Sequence, residues 1–108
     1  MKAHRQLPQE EALKEQFAQV LSDLKKPEDI HEFLSTLMTE GEYSMLARRI
    51  EVLRRLQADQ SYLTIQRELS VSSATVAAIS QLLELEFIKK ILKKVEKNAK
   101  KTGGWFGV

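Results

Sequence analysis

Apolar positions in the first half of the chain recur at helical spacing. Leu13, Phe17, Val20, Leu21 and Leu24 make one stripe between Pro8 and Lys26, which predicts an amphipathic helix that Pro27 cannot continue. Ile30, Phe33, Leu34, Leu37 and Met38 make a second, shorter stripe at i, i+3, i+4, i+7 and i+8. Thr39 followed by Glu42 three residues later has the form of a capping box, so a third helix is predicted over about Glu40 to Ala58. That helix carries apolar residues on two faces, Leu46, Ile50 and Leu53 on one and Met45, Val52 and Leu56 on the other. Burial on both sides needs more cover than a chain of 108 residues readily supplies, so a homodimer is expected.

The next segment is more specific. Tyr62 to Leu69 predicts a short helix burying Leu63, Ile65 and Leu69, Ser70-Val71-Ser72 a turn, and Ser73 to Leu83 a second helix burying Val76, Ile79, Leu82 and Leu83. Together these form a helix-turn-helix. Ile65, Leu69, Val71, Val76 and Ile79 stand where two steeply crossing helices must touch, with Val71 at the corner. Ser72 is placed to cap the second helix, whose remaining first-turn amides would then favour phosphate. Early exposed positions of such a helix meet base edges in the major groove, which makes Ser72, Ser73, Ala74, Thr75, Ala77 and Ala78 the candidate reading residues. A last helix has Ile88, Ile91, Leu92 and Val95 on one side and Lys89, Lys90, Lys93, Lys94, Lys97, Lys100 and Lys101 on the other. No Gly or Pro separates Leu83 from Phe87, so the sequence leaves open whether the last two helices are continuous. No strand-like alternation or internal repeat interrupts this pattern, and an all-α fold of about six helices is expected.

Composition narrows the function. With 43% hydrophobic and 30% charged residues, positions 1–101 suit a single globular domain, followed by a flexible aromatic tail at 102–108 that contains Trp105 and Phe106. Apolar stretches are too short for a membrane span, and the opening residues lack an export pattern, so a cytoplasmic protein is expected. There is no cysteine, hence neither a disulfide framework nor a thiolate site. His4 and His31 stand apart from other ligands, and the acidic residues form no visible pair, so neither a metal or other cofactor nor an enzymatic activity is expected.

The net charge of +2 conceals an asymmetry. Residues 1–47 hold five Lys/Arg against nine Asp/Glu, and residues 48–108 hold twelve against six. A basic second half suits double-stranded DNA, because cationic contacts release counterions condensed on the phosphates. Arg54, Arg55, Gln66 and Arg67 join the reading positions as candidate DNA-contacting residues. Phosphate contact and a solvated face remain alternative roles for the lysines of the last helix, with attachment to an anionic membrane surface a third.

The run Leu46-Ala47-Arg48-Arg49-Ile50-Glu51-Val52-Leu53, the spacing to Ile65, and then Val71-Ser72-Ser73-Ala74-Thr75-Val76 resemble the tryptophan-repressor superfamily, in particular the branch called YerC/YecD-type TrpR-like proteins. The resemblance covers about residues 10 to 95. It implies a six-helix intertwined dimer, two reading heads entering successive major grooves, and transcriptional repression. It also implies that Arg49 matches one of two arginines that sandwich the corepressor indole, making Arg49 a candidate effector-pocket residue. Ala78 stands at the second arginine's position, so tryptophan is not expected as a ligand. Ser70 replaces the glycine usual at the corner and needs a permissive backbone there. The second helix of the motif carries no basic residue, which predicts weakly selective, strongly salt-dependent binding. The competing reading is a helical dimeric adaptor that holds a protein partner and no DNA.

Overall fold

The computed structural model describes residues 6–101, with side chains described for residues 9–99. Six α-helices follow one another: α1 (Gln6–Leu24), α2 (Pro27–Leu37), α3 (Glu40–Gln57), α4 (Tyr62–Leu69), α5 (Ser73–Ser80) and α6 (Glu86–Lys101), with a 3-10 turn over Gln81–Glu84 between the last two. No strand occurs among the described residues. The chain divides into two compact units, one up to Tyr43 and one from Ser44 onward.

In the first unit α1 begins two residues before the predicted Pro8, which is tolerated in the first turn because the amides there have no intrahelical partner. The helix ends at Leu24, followed by Lys25, whose φ of 64° is left-handed, and Pro27 then opens α2 with its fixed φ. Glu28 and Asp29 place negative charge in the first turn of α2, where the helix dipole favours it. Phe17 of α1 and Phe33 of α2 bring their rings to 6.5 Å at a tilt of 32°, and His31 of α2 meets Tyr43 of α3 with Nδ1 2.9 Å from the phenol oxygen. Among residues 9–43 no side chain is fully buried.

The start of α3 follows its prediction. The Thr39 amide donates to Glu42 Oε1 at 2.9 Å and the Glu42 amide to Thr39 Oγ1 at 3.1 Å, the reciprocal pair of a capping box. Its end, one residue short of the predicted Ala58, is a Schellman turn: Gln60 N–H donates to Arg55 O and Asp59 N–H to Leu56 O, with Asp59 left-handed at φ 63°.

The second unit holds the core. Val52 and Leu53 of α3, Ile65 of α4, Val76 and Ile79 of α5 and Leu92 of α6 are buried, and Leu56, Leu69, Val71, Leu83 and Ile88 pack against them. All five contact positions predicted for the crossing helices belong to this cluster. Two expectations need correction. Leu63 is 62% exposed, and Leu82 is also exposed. Leu63 lies two positions from the buried Ile65, which turns it about 200° round a helix of 3.6 residues per turn. Leu82 falls in the 3-10 turn, whose tighter winding rotates it out of the α-helical register used for the prediction. The second helix of the motif accordingly ends at Ser80 and not at Leu83, and the question left open by the sequence is resolved at Leu85, which is extended (φ −79°, ψ 127°) and breaks the chain before α6. On α3, Met45, Leu46 and Ile50 remain exposed, so the two apolar faces are covered only toward its C-terminal end.

Candidate nucleic-acid interface

The helix-turn-helix is built from two matching local signals. Ser61 caps α4 by accepting from the Thr64 amide at 3.2 Å, and Ser72 caps α5 by accepting from the Thr75 amide at 3.1 Å. In each case the serine hydroxyl also donates to the threonine hydroxyl three residues on, at 2.9 Å. Between the helices Ser70 takes φ 55° and ψ 48°, a left-handed conformation that lets the chain reverse, and its N–H donates to Gln66 O. The Val71 amide reaches the same carbonyl at 3.3 Å.

This geometry separates the faces of α5. Val76 and Ile79 point into the core, while Ser72, Ser73, Ala74, Ala77 and Ala78 are exposed and Thr75 is half-buried. The exposed tip carries hydroxyls and methyls but no charge of either sign, so approach to a polyanion meets no carboxylate on α5 itself. On α4, Gln66 is half-buried and Arg67 is exposed.

The arginines of α3 are arranged differently. Arg54 donates to Glu51 through Nε at 3.0 Å and Nη2 at 2.7 Å, and Arg55 donates to Glu51 Oε2 through Nε at 2.8 Å. Arg55 also pairs with Glu68 of α4. Hydrogen bonding from Arg54 holds the Glu51 carboxyl below its ordinary value of 4.5; partial burial works against this and the bond from Arg55 reinforces it. Both guanidinium groups are raised above their already high values by the bond to Glu51, so both stay charged throughout the working pH range. The sequence offers Arg54 and Arg55 as candidate DNA contacts and does not announce the pairing of Arg55 with Glu68, although Glu51 at i−3 and i−4 is a readable signal.

Arg48 is a residue the sequence did not single out. Its Nε donates to the Leu69 carbonyl at 3.0 Å, and Nη1 bonds the Ser44 hydroxyl. Leu69 is the last residue of α4, so Arg48 satisfies a helix-end carbonyl and puts positive charge where the dipole is negative. No local pattern announces a contact across 21 residues. Arg49, the candidate effector-pocket residue, is exposed, as is Ala78.

Along α6 the described lysines Lys89, Lys90, Lys93, Lys94 and Lys97 are exposed, opposite the buried Leu92. His4, Trp105 and Phe106 lie outside the described residues, as do the side chains of Lys100 and Lys101. Among the described residues no group of three or more His, Asp or Glu is placed to hold a metal ion, and no helix is long and apolar enough to cross a membrane.

Comparison with known proteins agrees with this architecture. The chain is 36% identical over 67 residues to a protein of Bacillus subtilis named "Uncharacterized protein YerC", the match covering 62% of this chain and 64% of that relative. The chain thus spans under two thirds of the length of the curated relative it matches. No solved structure matches it. The model of the family described as "Trp repressor protein" matches residues 12–97, which include every described helix in whole or in greater part, and the chain belongs to that family.

Proposed function

We propose that this protein is a DNA-binding transcriptional regulator of the repressor type, acting as a homodimer that sets α5 of each protomer into the major groove. The observation that carries this reading is the division of α5 into a buried Val76–Ile79 face and an open, uncharged tip formed by Ser72, Ser73, Ala74, Ala77 and Ala78. A capped helix N-terminus of this kind sits against phosphate while its first exposed side chains reach base edges. Thr75 and Gln66, both half-buried, join that tip as candidate contacts. Arg67 and the lysines of α6 supply phosphate contacts, with Arg54 at their margin.

Dimerisation is supported by the apolar surface left open. Leu13, Phe17 and Val20 of α1, Met45, Leu46 and Ile50 of α3, and Phe87, Ile91 and Val95 of α6 are all exposed. Stripes of this length on three helices fit an intertwined partner better than solvent. Within such a dimer residues 1–101 form one domain, and two symmetric heads read half-sites about one helical turn apart. With Ala78 in place of a second cation beside Arg49, the regulator works without tryptophan.

Binding to mixed genomic fragments at increasing salt tests the reading. The expected result is retention that falls steeply with salt and weakens further in Arg67→Ala, whose log–log slope drops by about 0.9. A protein that retains no DNA at low salt is an adaptor instead, and the regulator reading fails.

A further inference from the structure

Arg48, Glu51 and Arg55 stand at i, i+3 and i+7 of α3, on one helix face, and Arg48 and Arg55 both engage the same end of α4. Arg48 grips the final carbonyl of α4 at Leu69. Glu51 orients Arg55, and Arg55 reaches Glu68, the residue just before Leu69. An open cleft lined by Ser44, Arg48, Glu51, Glu68 and Ser70 lies between these contacts. The next residue along the chain is Ser70, the left-handed corner that sets the direction of α5. The apolar contacts between α4 and α3 form a small cluster around Val52, Leu53 and Ile65, which by itself is a non-directional attachment about which a short helix can rock. Two directional, charge-assisted contacts at one end remove that freedom.

We propose that Arg48 and the Glu51–Arg55–Glu68 relay form a clamp that fixes the tilt of the helix-turn-helix on α3, so that Arg55 is a positioning residue for DNA binding and not a phosphate contact. This rests on the reading of α5 as the duplex-contacting helix. Burial supports the assignment: the Arg55 side chain is 18% exposed and Glu51 17%, whereas Glu68 at 56% is the open end of the relay. The clamp also accounts for the acid at Glu68. A carboxylate in the last turn of α4 is opposed by the helix dipole and would be opposed by the phosphates of a bound duplex, and its pairing to Arg55 gives it a structural use.

The test compares Arg48→Ala, Arg55→Ala, Glu68→Gln and the double variant Arg55→Ala/Glu68→Gln in the full-length chain. Affinity for a double-stranded DNA fragment is measured across a salt series, and amide hydrogen exchange is followed without DNA. The clamp predicts that each single variant binds DNA about three- to tenfold more weakly with an unchanged salt slope, and that the double variant is no weaker than Arg55→Ala. Glu68→Gln is decisive in sign, because deleting a negative charge near a polyanion strengthens binding unless the head loses its pose. Exchange at the Ser70 and Val71 amides is expected to quicken in Arg48→Ala and Glu68→Gln while Val52 and Leu53 keep their protection. Tighter binding by Glu68→Gln, or a slope lowered by about 0.9 in Arg55→Ala, overturns the proposal, as does unaltered exchange at the corner. If the wild-type chain holds no DNA, the regulator reading is lost, and exchange at Ser70 and Val71 still decides whether the clamp exists.

Discussion

Ser72 and Thr75 show how much one pair of hydroxyls determines. Ser72 Oγ accepts from the Thr75 amide and donates its proton to Thr75 Oγ1. Toward a base edge in the proposed complex it would therefore offer a lone pair, while the Thr75 hydroxyl would keep its own proton to donate. Ser72→Ala removes the cap, and a loss of about 1 kcal/mol of unfolding free energy is expected from urea titration. Ser70 works in the other direction. Its φ of 55° is strained for a residue with a Cβ, so Ser70→Gly is expected to stabilise the fold by about 0.5–1 kcal/mol, read as a rise in the urea midpoint. Glu51 links stability to pH. Because its folded-state value is depressed, the stabilisation it contributes is complete above about pH 4.5 and disappears as pH falls through the lower folded value. Glu51→Gln is expected to narrow the difference in urea midpoint between pH 7 and pH 3.

At the scale of elements, burial decides which apolar residues matter. Ile65 is fully buried between α3 and α5, and truncating it to Ala is expected to cost about 3 kcal/mol. Leu63, two residues away and mostly exposed, is expected to change the stability of the isolated protomer by less than about 0.5 kcal/mol when truncated. The helix-turn-helix was legible in the sequence because its determinants are local: Ser61 and Ser72 cap at fixed offsets, and the five crossing residues lie within fifteen positions of one another. The ends of the elements were less so. Helical periodicity carried through Ser80 assigned Leu82 to the core, since nothing in Gln81–Glu84 announces tighter winding before the extended Leu85. Least legible were Arg48 and Arg55, whose partners on α4 lie 21 and 13 residues away and are brought close only by the packing of α4 on Val52 and Leu53. Ala78 bears on function at this scale. An added cation, Ala78→Arg, places guanidinium donors on the open face of α5 and is expected to tighten DNA binding and steepen its salt dependence.

At the scale of the whole molecule, the six apolar side chains buried among the described residues all fall after Ser44, and residues 9–43 contain no fully buried side chain. Helices of 19 and 11 residues with no fully buried side chain of their own are marginal in water, and the proposed homodimer would supply cover for α1 and for the open part of α3. In the proposed dimer Ile50→Glu places a carboxylate on that open face, and the species seen by sedimentation is expected to shift from dimer to monomer. The thinly buried N-terminal unit has a further consequence, through mass action. If its ordering requires association, the thermal midpoint of the protein climbs with its own concentration, and the number of intact reading heads in a cell follows how much of the chain has been made.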